Sequence, residues 1–290
     1  MFQNNGAYPY LRTITTGPTK ILNRLISWFG DSVINLPNGI DIIEFTGSGD
    51  TTADYVMLLL FVIIGLCFTV IWSLIDYKRT NYSALWYFLT VGIRFYIAFM
   101  LINYGMAKLL KSQFPYPHLG RLVQRYGESS PMGLAWTFLG FSFGYNIFMG
   151  IAEIASALLL FKRTMVLGAI ITLMTTANVM AINFFYDVPV KITSSHLVMM
   201  TILLLIPNIK VLFQLFFKNE SIQLKLIAHP KKFSKKRGKL IMISKFLFFL
   251  VFIYASIPRI SYGLDKAKAY NNKPTIEGVY MIDQFTFNNN

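Results

Sequence analysis

Long apolar segments dominate this chain and fix the kind of protein it can form. A segment of about 18 or more mostly apolar residues can cross the hydrocarbon core of a bilayer as an α-helix. Six segments meet this criterion: Tyr55–Ile75, Ala84–Tyr104, Phe141–Phe161, Met165–Phe185, Ser195–Phe213 and Leu240–Ile257. None of them alternates polar and apolar residues as the strands of an outer-membrane barrel do. The sequence therefore predicts an all-α, polytopic transmembrane protein with about six membrane-spanning helices.

The overall composition excludes an ordinary soluble domain. Apolar residues make up 54% of the chain and charged residues only 14%, whereas soluble domains carry about 25% charged residues. The mean hydropathy is +0.50. We therefore expect the lipid bilayer to be the main partner of this surface. The single cysteine, Cys67, lies within an apolar segment, so no disulfide framework is expected.

The net charge of +14 is concentrated between the apolar segments. The loop before the last segment contains eight basic residues: Lys218, Lys225, Lys231, Lys232, Lys235, Lys236, Arg237 and Lys239. Loops this basic normally stay in the cytoplasm, so both termini are predicted to lie outside it. Because the densest part of the run, 231–239, has only one aromatic residue with which to stack a base, no nucleic-acid partner is expected. These patterns predict a multi-pass protein of the inner (cytoplasmic) membrane.

This topology divides the chain into five parts. Residues 1–54 form an extracytoplasmic or interfacial segment, and 55–217 form the transmembrane region, with a bundle core over 84–213. A basic cytoplasmic loop follows over 218–239. The sixth membrane helix occupies 240–258, and an extracytoplasmic tail occupies 259–290.

Two ionisable residues lie within the apolar segments. Arg94 and Glu153 each fall near the middle of their segment, where a charge is costly unless it is paired or serves a site. We predict that they form an ion pair between two helices in the interior of the bundle. Two roles are consistent with such a pair: it could fix the register of the helices, or it could handle a proton or a quinone. Asn146 and Asn178 are predicted to be further polar residues of the bundle interior.

A second group of polar residues is predicted at the outer surface of the membrane. Its members lie at or just beyond the ends of apolar segments: Lys108, Gln113, Asn183, Asp187, Lys191 and His196. A carboxylate, an imidazole and two ammonium groups in one region could bind an anion or a quinone headgroup, or could simply form a polar rim with snorkelling lysines. No metal site is expected, because zinc needs three or four ligands, whereas the other histidines are His118 in the outer loop and His229 on the cytoplasmic side. A His118–His196 pair could hold a haem by position, but the ligands of such a haem normally come from helices.

One set of motifs lies in, or just after, two of the apolar segments: Arg94, the Tyr104-Gly105 pair with Lys108, and Glu153 followed by a leucine-rich stretch to Phe161-Lys162-Arg163. This set resembles the pattern of the DoxX family of membrane proteins. More specific blocks resemble the larger DoxX-like proteins of Bacteroidetes-type bacteria: Gln113-Phe114-Pro115, Ser129–Phe138, Asn183–Lys191 and Ser194-Ser195-His196. The resemblance covers residues 44 to 217 and implies a four-helix bundle core. Those relatives have an additional hydrophobic helix near the N-terminus and a longer tail, so we expect a shortened or fragmentary form here.

The resemblance links the chain to redox chemistry, because the family takes its name from a subunit of a thiosulfate:quinone oxidoreductase. The leading hypothesis is a component of membrane redox chemistry with quinone as its small molecule. The competing hypothesis is a non-catalytic scaffold or assembly subunit that binds a protein partner outside the cytoplasm. Transport would need broken helices near the midplane, for which Gly140, Gly144 and Gly150 are the candidates. No motif for a soluble cofactor is present.

Overall fold

The computed structural model describes residues 11–37, 39–40, 49–218, 221, 223–224, 235–271 and 278–280. Within these residues, all regular secondary structure is helical. The α-helices are α1 (Leu11–Ser32), α2 (Thr52–Ile75), α3 (Ser83–Leu109), α4 (Leu119–Val123), α5 (Pro131–Phe141), α6 (Phe143–Ile154), α7 (Met165–Phe185), α8 (Lys191–Leu205), α9 (Ile209–Lys218) and α10 (Lys235–Asn271). Short 3₁₀ helices occupy Tyr126–Glu128, Ala155–Leu160 and Ile206–Asn208.

Five of these helical segments are long and apolar enough to cross a membrane. They are Thr52–Ile75, Ser83–Leu109, Phe143–Leu160, Met165–Phe185 and Lys191–Lys218. For the described residues, this confirms the prediction of an all-α protein with several helices that are long and apolar enough to cross a membrane. The sixth predicted span lies within α10, where only part of the side chains are described, so the count of six stays a prediction.

The core of the bundle is built from α3, α6 with its 3₁₀ continuation, α7 and α8. The centre of α3 contributes a run of almost fully buried apolar residues, Ile97 to Leu101, which packs against Leu159, Met165, Ala169 and Leu204. Close approach of two helix backbones determines how α3 and α6 meet. A Cβ added at Gly105 would lie only 2.6 Å from the carbonyl oxygen of Gly150, so each helix needs glycine at this crossing.

The helical backbone is interrupted between α5 and α6 at Ser142, which adopts an extended conformation. The break removes the usual hydrogen-bond partners of the preceding carbonyls, and side chains replace them. The Nδ2 group of Asn146 donates to the carbonyls of Leu139 (2.7 Å) and Ser142 (2.8 Å), and the ammonium of Lys111 donates to that of Gly140. Asn146 is fully buried, as predicted. Irregular backbone in a membrane protein requires such substitutes, because lipid offers none.

The first two helices form a unit beside the bundle. Ile26 and Phe29 of α1 pack on Val56 of α2, while most of the remaining surface of α2 is exposed. The turn before α2 contacts the bundle through Asp50, whose carboxylate accepts hydrogen bonds from the backbone N–H groups of Lys191 (2.6 Å) and Ile192 (2.9 Å) at the start of α8. The same turn therefore caps α8 and holds the segment that precedes it.

Candidate binding cavity around Lys108 and Glu153

A cavity of about 240 Å³ opens between the C-terminal ends of α3 and α7, the middle of α6 and the start of α8. Most of its wall is apolar, with Tyr104, Phe114 and Trp136 supplying aromatic rings. Phe114 and Trp136 pack edge to face, 5.1 Å between ring centroids. Apolar walls with a few placed polar groups are the usual composition of a small-molecule site.

A buried ion pair lies in the wall of this cavity. The Nζ atom of Lys108 is 2.7 Å from each carboxylate oxygen of Glu153 and 3.0 Å from the amide oxygen of Gln113. Both charged residues are at least 95% buried. Three acceptor atoms from two side chains thus surround the ammonium, which has three N–H bonds to donate. The carboxylate oxygens keep further lone pairs with which to accept a hydrogen bond from a ligand.

The glycine crossing explains why these two side chains meet. Gly105 precedes Lys108 by three residues and Gly150 precedes Glu153 by three residues, and residues three apart lie on the same face of a helix. Because Gly105 and Gly150 are in contact, the two side chains that follow them reach the same point. The two glycines allow the backbones of α3 and α6 to come into contact, and the Lys108–Glu153 ion pair forms one helical turn further along each helix.

The predicted ion pair between Arg94 and Glu153 is therefore wrong. Arg94 is buried as expected, but its Nε atom donates to the carbonyl oxygen of Leu159 (2.7 Å) at the end of the 3₁₀ stretch. The prediction placed both residues at one depth because each is near the middle of its own segment. The helices are staggered instead: Gly105, near the end of α3, faces Gly150, near the middle of α6. Arg94 lies about 21 Å along α3 from Lys108.

The structure places only some residues of the predicted outer-surface group in the cavity. Lys108, Gln113 and Asn183 line the cavity. Asp187 and Lys191 form an ion pair of 2.6 Å outside it, with the aspartate side chain 81% exposed. The Nδ1 atom of His196 lies 2.7 Å from the carbonyl oxygen of Ile192, within its own helix, and His196 does not line the cavity. Two predicted sites thus merge, because Glu153 joins three members of the outer group.

Asn178 is not a residue of the bundle interior, contrary to the prediction. It is exposed on α7, on the side away from the cavity. The cavity is lined instead by Thr176, Val179 and Asn183 of the same helix. A polar residue inside an apolar segment predicts a buried position, but the rotation of α7 is set by its packing on α8 and on the 3₁₀ stretch.

The loop beside the cavity contains a second buried cation, Lys111. Its ammonium lies 3.6 Å from the centre of the Tyr116 ring and also contacts the carbonyl oxygen of Phe114 at 3.4 Å. Burial lowers the pKa of Lys111 from its ordinary value. Sequence reasoning missed this residue and the aromatic pair Phe114–Trp136. A lysine directly after a membrane helix is usually interpreted as a side chain that extends its charge to the membrane surface, so its burial was not expected.

The chain is similar to a curated bacterial protein over part of its length. The uncharacterized protein YwoB of Bacillus subtilis is 36% identical over 115 residues, which cover 39% of this chain and 71% of YwoB. No family model matches the chain. No solved structure matches it either.

Proposed function

Since the chain belongs to the same family as the uncharacterized protein YwoB, whose name assigns no activity, we propose a function from the cavity itself: it binds the headgroup of a membrane quinone or quinol. The observation that carries the proposal is the Lys108–Glu153 pair in the wall of an otherwise apolar, aromatic-lined cavity. Such a site offers an apolar ligand one strongly polar contact. The resemblance to DoxX proteins supports the same class of ligand.

The residues present suggest how such a ligand would be held. The flat ring would lie against the aromatic side chains of Tyr104, Phe114 and Trp136, and its apolar tail would extend into lipid. A quinol hydroxyl would donate to Glu153, whose oxygens can accept a further hydrogen bond while Lys108 keeps the carboxylate paired.

The proposed setting is the bacterial inner membrane, with the cavity facing the extracytoplasmic side. This orientation follows from the basic loops, since short cytoplasmic loops carry an excess of Lys and Arg. It places Lys108, Gln113 and Asn183 at the level of the outer leaflet. A quinone dissolved in the membrane could then reach the cavity without crossing the protein.

Binding of a fluorescent quinone analogue to purified protein in nanodiscs tests the proposal. We expect saturable binding to the wild type, weakened about fivefold by Trp136→Leu, because a favourable aromatic pair contributes about 1 kcal/mol. The double variant Lys108→Met/Glu153→Leu should abolish the polar contact without leaving a charge unpaired. Lys191→Ala and His196→Ala are matched controls that remove polar groups outside the cavity and should bind as the wild type does.

Two outcomes would reject the proposal. Wild-type protein that shows no saturable binding would exclude a quinone site, and the scaffold hypothesis with an extracytoplasmic protein partner would replace it. Equal loss of binding in the cavity variants and in the His196 and Lys191 controls would place any ligand elsewhere. Size-exclusion profiles of every variant show whether a loss of binding reflects a loss of fold.

A further inference from the structure

One side of α7 faces away from the bundle and carries a regular stripe of residues. They follow one another at intervals of four, three, four, three and four residues: Leu167, Ile171, Met174, Asn178, Ala181 and Phe185. We refer to these six residues as the α7 seam. Met174 is 72% exposed and Phe185 is 82% exposed, and Leu167 and Asn178 are exposed as well. This alternation of fours and threes is the heptad spacing by which two helices pack knobs into holes.

Asn178 makes this stripe unusual for a surface that contacts lipid. It lies close to the middle of the Met165–Phe185 span. No hydrogen bond of its side chain to any described residue is present. An amide that lacks a hydrogen-bond partner costs several kcal/mol in hydrocarbon. Asparagine side chains in membrane helices accordingly tend to form hydrogen bonds with a neighbouring helix.

We propose that the α7 seam is the contact between two copies of this chain. The carboxamide is self-complementary, because its oxygen accepts and its NH₂ group donates. Two copies inserted in the same orientation bring their α7 helices together in parallel. Asn178 of each copy then lies at the same depth as Asn178 of the second copy, and the two amides satisfy each other. A different occupant would need its own polar group at this depth.

The rest of the seam fits the same arrangement. A single asparagine in an otherwise apolar heptad seam specifies the register of a parallel pair, at some cost in stability. The small side chain of Ala181, one turn after Asn178, permits close approach of the two helices. The opposite side of α7 lines the cavity through Thr176 and Asn183, so pairing leaves the cavity accessible. The inference is thus independent of the ligand.

Oxidative cross-linking in native membranes tests the position of the contact. The background variant is Cys67→Ser, because Cys67 is exposed. Met174→Cys and Ala181→Cys in this background should form disulfide-linked dimers. Met199→Cys on α8, which is 66% exposed but lies outside the seam, is the matched control and should not. Cross-linking of Met174→Cys no stronger than that of Met199→Cys would overturn the proposal.

Self-association in liposomes tests the role of the amide. Single-molecule photobleaching at increasing dilution in lipid gives the fraction of dimer. Asn178→Leu should weaken dimerisation about three- to thirtyfold, the range expected for an interhelical polar contact in a membrane. Asn178→Gln retains a carboxamide and Met174→Leu retains apolar contact, so both should stay near the wild type. A monomeric wild type, or an Asn178→Leu variant that dimerises as the wild type does, would refute the pairing.

Discussion

At the scale of single residues, the Lys108–Glu153 pair is a buried pair of charges in which each residue depends on the other. Two charges removed from water stabilise a protein little as a pair, but loss of one partner leaves the other charge uncompensated. The three acceptors around the Lys108 ammonium make this dependence strong. Arg94 is separate from this network, since its hydrogen bond goes to the backbone of Leu159.

We therefore predict that Lys108→Met and Glu153→Leu each lower the free energy of unfolding by about 3 to 5 kcal/mol. The double variant should recover much of this loss, because neither charge is then left unpaired. Chemical unfolding in detergent micelles measures the three values. The control is Arg94→Leu combined with Glu153→Leu: these residues are not in contact, so their effects should add. Recovery in that control, and none in the Lys108 double variant, would mean that the pairing is wrong.

At the scale of helices, the crossing of α3 and α6 positions the pair. Gly105→Ala would place a methyl group 2.6 Å from the carbonyl oxygen of Gly150 and 2.7 Å from the side chain of Ile154. The backbones must then separate, and the charges one turn later move apart with them. We predict a loss of about 1 to 3 kcal/mol in the free energy of unfolding, which is the usual cost of overpacking.

The matched control for this substitution is Gly92→Ala on the same helix. A Cβ at Gly92 meets no atom within 4 Å, and alanine favours a helix over glycine by about 1 kcal/mol. Gly92→Ala should therefore leave the stability unchanged or raise it slightly. Thermal unfolding of both variants, followed by circular dichroism, decides the matter. Equal effects at the two positions would show that helix propensity, rather than the crossing, governs the result.

A second prediction at this scale concerns the cap that Asp50 provides for α8. Asp50→Ala removes the acceptors for the N–H groups of Lys191 and Ile192, which should cost about 1 kcal/mol. Amide hydrogens of residues 188–193 should then exchange faster, because the start of α8 is no longer held by Asp50. Val188, Pro189 and Val190 form the wall of the cavity at this point. Asp187→Asn is the control for mass-spectrometric exchange measurements, because it removes the charge of an exposed ion pair and keeps a residue type that tolerates the positive φ at this position. Unchanged exchange in Asp50→Ala would show that the turn before α2 does not hold this wall.

At the scale of the whole molecule, the orientation in the membrane determines which leaflet the cavity faces. We expect Glu128 outside and Lys162 in the cytoplasm, since both are exposed residues between consecutive bundle segments and the basic Lys162-Arg163 turn belongs inside. Single cysteines at these positions in the Cys67→Ser background can be labelled with a membrane-impermeant maleimide in spheroplasts. Labelling at 128 and protection at 162 are the expected results. The reverse pattern would invert the topology and place the cavity toward the cytoplasm.

The sequence by itself determined the class of this protein and, for Arg94, Glu153 and Asn146, that the side chain lies in the interior. Apolar segments of helix length can satisfy their backbone groups in a bilayer only as helices or closed barrels. These segments do not alternate polar and apolar residues as barrel strands do, so they are helices. Arg94, Glu153 and Asn146 were placed in the interior for a related reason: a charge or amide in hydrocarbon needs a partner, and the structure buries all three.

Only the tertiary structure decided which partners these residues find. Depth along a helix and rotation about its axis depend on contacts between distant segments, and the residue types do not encode them locally. The contact between Gly105 and Gly150 sets the stagger of α3 against α6, and this stagger pairs Glu153 with Lys108 rather than with Arg94. The rotation of α7 turned Asn178 outward and Asn183 into the cavity. Polarity predicts that a group needs a partner, and packing selects the one it meets.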